Sequence, residues 1–191
     1  YWRVYGEGLQ ATFTKRQIYT SWEFIPGEDM PDFDNPIIGL DFGYSNDPSA
    51  AVLVQKKNDK LYIKELLYKT GMTNQDLANW FKANGYDQTL IYADAAEPNS
   101  IEEIKQMGLW CKPAKKGQGS IMAGISLLKE YDIFVSQDSK NLYKEYNNYY
   151  WEELKDGTII NKPKDAFNHL QDALRYAVYS EYSNRIDFFV I

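Results

Sequence analysis

Ile37-Ile38-Gly39-Leu40-Asp41-Phe42-Gly43-Tyr44, followed by Asn46-Asp47-Pro48-Ser49-Ala50, places an acid at the end of an apolar run and just before a turn. Side chains alternate along a strand, so Ile38, Leu40 and Phe42 share one face and Ile37, Gly39 and Asp41 the other. A second apolar run covers residues 50–54. The turn Lys57-Asn58-Asp59-Lys60 leads to a third run at 61–68. Three runs joined by short turns predict an antiparallel meander.

Downstream the pattern changes to alternation. Thr73 reads as an N-cap, with Leu77, Trp80 and Phe81 at helical spacing behind it. Residues 90–94 read as a buried strand, 99–106 as a helix, 109–112 as a short strand, 120–131 as a helix and 133–135 as a strand. Residues 141–150 read as helical, and 151–161, with Asp156-Gly157, as a hairpin. The final helix covers 168–180, with Asn168 and Gln171 spaced as a capping box. The predicted class is α/β, a mixed sheet flanked by helices. The order β-β-β-α-β-α-β-α is similar to that of the ribonuclease-H-like fold (retroviral-integrase superfamily).

Composition narrows the chemistry. The chain has 191 residues, enough for one domain, and 44% of them are hydrophobic. One cysteine, Cys111, and one histidine, His169, exclude an intrachain disulfide, a Cys-based zinc site and a multi-His centre. No apolar run reaches the ~18–20 residues of a membrane span, so no membrane partner is expected. A net charge of −6 argues against a protein that coats nucleic acid and leaves room for a carboxylate-rich metal site. The chain opens without an initiator Met or a signal-peptide pattern, which suggests a piece of a longer protein in a reducing cytoplasm. Residues 1–35, with scattered aromatics and the turn-rich 26–36, are read as an arm or linker, 36–185 as the domain and 186–191 as a tail.

Three acids carry the chemistry. Asp41 ends the first run. Asp94 ends the strand in which Leu90, Tyr92 and Asp94 share a face. On the last helix, Leu170, Ala173, Leu174, Ala177 and Val178 form the apolar stripe, while His169, Asp172, Tyr176 and Tyr179 fall within a separate arc of ~80°. Each acid alone also suits a turn or a helix start. Asp47, in Asn46-Asp47-Pro48, is a further candidate that suits a turn equally well. Carboxylates from separate elements match Mg²⁺ or Mn²⁺, and two such ions ~3.5–4 Å apart serve phosphodiester hydrolysis.

The quoted first segment resembles the first motif of the nuclease domain of tailed-phage terminase large subunits. Ile91-Tyr92-Ala93-Asp94-Ala95-Ala96-Glu97-Pro98 is similar to the second, and Asn168-His169-Leu170-Gln171-Asp172-Ala173-Leu174-Arg175-Tyr176 to the third. Ala114-Lys115-Lys116-Gly117-Gln118-Gly119-Ser120-Ile121 resembles a family segment between them. Tyr1-Trp2-Arg3-Val4-Tyr5-Gly6-Glu7 is similar to the stretch joining the packaging ATPase to the nuclease. The resemblance implies an Mg²⁺- or Mn²⁺-dependent endonuclease, using two ions, that cuts concatemeric viral double-stranded DNA during genome packaging. It implies Asp41, Asp94 and Asp172 as the metal triad, with Asp47 and His169 as accessory positions. It further implies an upstream ATPase domain in the same polypeptide, portal and small terminase subunit as partners, and the host cytoplasm rather than the mature virion as location. The chain lacks a Gly-x-x-x-x-Gly-Lys-Ser/Thr phosphate loop, so it is not itself expected to translocate DNA.

Local basic segments are the expected DNA contacts. Lys112, Lys115 and Lys116 precede Gly117 and Gly119, whose amides can approach phosphates closely. Lys155, Lys162 and Lys164 flank the hairpin, which would lie along the duplex and control access. Three other readings stay open on the sequence. They are a phosphate-binding Asp-x-Gly of the actin-like or sugar-kinase type, a non-catalytic DNA-docking module of the motor, and a Holliday-junction-resolvase-like nuclease of the same fold.

Overall fold

The computed structural model describes residues 16–183. A seven-stranded sheet runs in the order β1-β7-β4-β3-β2-β5-β6. Its members are β1 (Glu23–Ile25), β2 (Ile37–Asp41), β3 (Ser49–Lys57), β4 (Lys60–Lys69), β5 (Leu90–Ala93), β6 (Cys111–Pro113) and β7 (Asp132–Ser136). The meander β2-β3-β4 is antiparallel, as its short turns require. β5 and β6 extend it in parallel on one side, β7 and β1 on the other. The mixed ribonuclease-H-like sheet expected from the element order is present. A separate hairpin pairs β8 (Trp151–Glu153) with β9 (Ile159–Pro163), turning at Gly157 with φ 85°.

Five helices cover the sheet among the described residues: α1 (Asn74–Ala83), α2 (Pro98–Gln106), α3 (Ser120–Lys129), α4 (Lys140–Asn148) and α5 (His169–Tyr182). Strand alternation divides the core into two layers. Ile38, Leu40, Leu53 and Ile91 meet Leu77 and Phe81 of α1 and Ile101 and Ile104 of α2. On the other face, Ile37, Val52, Val54 and Ile63 meet Ile125 and Leu128 of α3, Leu142 of α4, and Leu170, Leu174 and Val178 of α5.

The segment read as an arm meets the core before residue 36. Ile18, Tyr19 and Trp22 are buried, with Trp22 stacked between Tyr19 and Tyr146 at centroid distances of 4.9 and 5.0 Å. β1 then pairs with β7 at the sheet edge. Three residues are too few to show alternation, so this strand left no sequence signature. Residues 1–15 of the arm and the tail 186–191 lie outside the described residues.

α5 sits unusually low on β2. A Cβ on Gly39 would stand 1.8 Å from the Ala173 carbonyl oxygen and 3.2 Å from the Ala177 Cβ. Only glycine below and alanines above permit this approach. At its far end α5 is tied to β5, where the Tyr92 hydroxyl donates to Glu181 Oε2 at 2.7 Å.

The N-terminus of α5 is capped from a distance. The expected capping box of Asn168 and Gln171 is not formed: Asn168 makes no side-chain cap bond, and its Nδ2 donates instead to Asp165 and Asp172, both at 3.2 Å. Glu145 Oε2 of α4 accepts the amides of Leu170 (2.8 Å) and Gln171 (3.1 Å). α4 is capped in the same way, since Glu65 Oε2 of β4 accepts the amides of Asn141 (2.9 Å) and Leu142 (3.0 Å). Burial pushes the Glu145 carboxyl up to about 7, and the two α5 amides pull against that shift.

Two outcomes follow from these contacts. Gly39→Ala should cost at least ~3 kcal/mol, because the obstructing atom is backbone and α5 must lift. Gly117→Ala, where a Cβ meets nothing within 4 Å, should stay within ~0.5 kcal/mol; urea midpoints compare the two. Glu145 makes stability fall as pH rises from 4.5 to about 7, since over that window the folded state keeps a proton the unfolded chain has released. Glu145→Gln should flatten that part of the profile, and parallel wild-type and variant profiles would count against the assignment.

Candidate active site

The parallel register of β2 and β5 brings the first two acids together. Leu40 is paired with Ala93, and the Asp94 amide donates to the Leu40 carbonyl at 3.2 Å, so Asp41 and Asp94 leave adjacent strands side by side. Gly39 and Tyr92 are also paired, so both acids share the face on which α5 lies. Close packing of α5 on Gly39 then lowers Asp172, in its first turn, toward them. All three side chains are at least four-fifths buried, with exposures of 14, 19 and 20% for Asp41, Asp94 and Asp172.

Each acid meets a cationic side chain. His169 Nδ1 donates to Asp41 Oδ2 at 3.0 Å, and its Nε2 faces Asp47 Oδ1 at 3.9 Å. Lys116 pairs with Asp94 Oδ1, which also accepts the Ala96 amide at 2.9 Å. Arg175 donates to Asp172 Oδ1 at 2.8 Å. Burial pushes the Asp41 carboxyl up to about 6; the His169 hydrogen bond opposes this, and the charges of Asp172 and Asp94 add to it. The same hydrogen bond raises the imidazole of His169. Tyr176 lies beneath the cluster, its hydroxyl raised first by burial and then by Asp172, Asp41 and Asp94 in turn.

This donor set fits a hard divalent cation. Three carboxylates on separate rigid elements share a poorly solvated corner, and Asp41 is raised chiefly by burial, with smaller additions from the charges of Asp172 and Asp94 that such a cation would relieve. Among the described residues, no three His, Cys, Asp or Glu side chains already stand in ligating arrangement. The acids are turned toward His169, Lys116 and Arg175 instead, so ligation of one ion by all three would require their side chains to rotate.

The other candidates are distributed less evenly. Asp47 is 74% exposed. It rides on a loop closed by Ser49 Oγ, which donates to the Gly43 carbonyl at 2.9 Å and accepts the Gly43 amide at 3.2 Å. Lys115 is directed to α5, its amide to Ser180 Oγ (2.9 Å) and its ammonium to Ser183 Oγ (3.0 Å). Lys112 is exposed and lies over the Trp110 ring. Gly117 and Gly119 have open space around them, Gly119 with φ 80°. On the hairpin, Lys162 pairs with Glu152 at 2.7 Å, while Lys155 and Lys164 are exposed.

Two participants escaped the sequence reading. Arg175 falls within the third motif with no role implied for it, yet its guanidinium is buried against Asp172 and lies over the Tyr176 ring at 4.8 Å. An arginine at i+3 from an acid on a helix face was the available signal. Glu145, which holds the helix carrying two site residues, offered none in the local pattern.

Comparison with known proteins agrees with this geometry. The family model described as a terminase RNase H-like domain matches residues 41–180. The large terminase subunit of Bacillus phage SPP1 is 33% identical over 159 residues, covering 80% of this chain and 38% of that protein. The PBSX phage terminase large subunit of Bacillus subtilis is 30% identical over 143 residues, covering 73% of this chain and 33% of that protein. The chain thus spans about a third of the length of these relatives. The crystal structure of the SPP1 large terminase nuclease domain with bound Mn superposes with a TM-score of 0.75 at 31% identity, covering 84% of this chain and 96% of that one. The nuclease of thermophilic phage G20c, solved with bound magnesium, shares the fold, with a TM-score of 0.63 at 20% identity over 88% and 98% of the two chains. With the family model matched from Asp41 to Ser180, and the acids at the strand ends that the model spans, the chain belongs to the RNase H-like domain family of terminase large subunits.

Proposed function

We propose that this domain is a metal-dependent endonuclease that cuts concatemeric viral double-stranded DNA during genome packaging, working in the host cytoplasm beside an ATPase domain of the same polypeptide. The observation that carries the reading is the meeting of Asp41, Asp94 and Asp172 at one corner of the sheet, with His169 hydrogen-bonded to Asp41. The SPP1 nuclease domain, solved with bound Mn, supports the choice of ion. Portal and small terminase subunit are the further partners expected of a packaging complex.

Asp41, Asp94 and Asp172 would hold one or two Mg²⁺ or Mn²⁺ ions. Such ions supply Lewis acidity, lowering the pKa of water and stabilising charge on a departing phosphodiester oxygen. The protein contributes position and protons. β2 and β5 hold two acids in fixed register, and α5 brings the third with His169 one turn earlier. His169 donates its Nδ1 proton to Asp41, a bond that favours the charged ring, and in that form its Nε2–H, on the side near Asp47, could donate to a phosphate oxygen. The exposed Lys112, Lys155 and Lys164 are the proposed backbone contacts, and such contacts carry little sequence information.

Asp41→Asn should abolish Mn²⁺-dependent linearisation of plasmid DNA while keeping the wild-type melting temperature in chelator to within a few degrees. His169→Ala should slow cleavage by roughly 10²-fold, the lower range for loss of a proton-handling group. Full cleavage by Asp41→Asn would overturn the assignment of the acids, whereas DNA binding without any cleavage by the wild-type domain would leave a DNA-docking module as the better reading. A strong preference for four-way junctions over linear duplex would favour a resolvase-like role.

A further inference from the structure

Two of the three side chains paired with the site acids, Arg175 and Lys116, are supported very differently. Arg175 arises within α5 and its side chain is 5% exposed. Gly124 of α3 lies against it so closely that a Cβ there would stand 2.5 Å from Arg175 Cγ. Moving Arg175 means separating two helices. Lys116 belongs to the connection between β6 and α3, and its side chain is 42% exposed. Its ammonium pairs with Asp94 and lies 6.0 Å from the centroid of the Tyr176 ring.

The backbone just before Lys116 is anchored to the sheet and to α5. The Ala114 amide donates to the Ala93 carbonyl at 2.8 Å, and the Lys115 amide donates to Ser180 Oγ at 2.9 Å. Those bonds deliver the next side chain to Asp94. Beyond it, the Gly117 carbonyl accepts the Ser120 amide at 3.1 Å, and Gly117 and Gly119 carry no side chain that would confine the half-exposed Lys116 side chain. Lys116 is therefore well placed and easily displaced, whereas Arg175 is well placed and locked.

We infer that Lys116 is a built-in counter-ion of Asp94 that competes with a divalent cation for that carboxylate. This rests on the metal-dependent reading and adds a competitor to it. Asp94 Oδ1 is engaged by the ammonium and by the Ala96 amide, so ligation through that oxygen requires the lysine to swing away. A doubly charged ion outcompetes a single charge at a carboxylate, but its apparent affinity is reduced by whatever the ion pair contributes. In the absence of a divalent ion, the lysine keeps Asp94 from adding its full charge to the repulsion at Asp41.

Mn²⁺ binding to the domain, measured by titration calorimetry without DNA, tests this. Lys116→Ala should bind Mn²⁺ roughly two- to fivefold more tightly than wild type, the range for a partly exposed ion pair. Lys116→Arg, which can still pair with Asp94, should bind near wild-type affinity. The gap between wild type and Lys116→Ala should narrow in high salt. Equal or weaker binding by Lys116→Ala would overturn the competitor role and leave the nuclease reading standing. Failure of wild type and variant alike to bind Mn²⁺ would overturn both. Should Lys116→Ala lose its fold by circular dichroism, Lys116→Gln, with the chain length of the side chain largely kept, decides the matter by the same comparison.

Discussion

A backbone carbonyl, that of Ala173, lies where a side chain on residue 39 would have to stand. The site depends on this contact. An α-helix packed over a strand at ordinary distance would leave the first-turn Asp172 above the sheet and away from the acids at the strand ends. Glycine in β2 and alanines at 173 and 177 lower the helix axis onto the strand, so Asp172 joins Asp41 and Asp94 without a loop having to bring it there. Glycine weakens a strand interior, and here the loss is offset because β2 is central and paired on both sides. The geometry of the acids is thus a consequence of sheet-to-helix packing.

A helix placed this close must also be held at its ends. Tyr92 binds Glu181 at the C-terminal end, and Glu145 takes the first amides at the other. Glu145 is itself carried by a helix whose first amides are taken by Glu65 of β4. The sheet therefore fixes α4, and α4 fixes α5, through carboxylates at successive helix N-termini. A buried carboxylate is costly, but the partial positive charge at a helix start and two donated amides compensate Glu145 without any buried cation. The arrangement keeps positive side chains for the site itself.

How far the sequence disclosed this depends on the range of each interaction. Strand alternation and turns displayed the meander, and Asp41 and Asp94 stood out as acids at strand ends because local pattern alone determines which face they take. The stripe of α5 likewise showed which side bore His169 and Asp172. The capping box at Asn168 and Gln171 matched its local pattern and still failed to form, because Asp172 and Asp165 take the Asn168 side chain and a glutamate 25 residues upstream takes the amides. Only the tertiary fold brings that glutamate near. β1 was missed for a different reason: an edge strand of three residues has too few positions to show a period. Lys115 and Lys116 read as an equivalent pair, yet backbone anchoring directs one to serines on α5 and the other to Asp94.

The pairing of three acids with His169, Lys116 and Arg175 connects the acidic whole with the cation site proposed for it. Three unpaired carboxylates in a corner this shielded would repel one another and oppose folding. Three permanently locked cations would fold well and exclude any divalent ion. The structure lies between these limits by using partners of graded mobility. Arg175 is buried and permanent. His169 is held by its hydrogen bond to Asp41, which favours its charged form. Lys116 keeps its charge and can move away. Assigning a different kind of partner to each acid would let the same three carboxylates meet the two demands of the proposed function, stability without a metal and accessible oxygens for one.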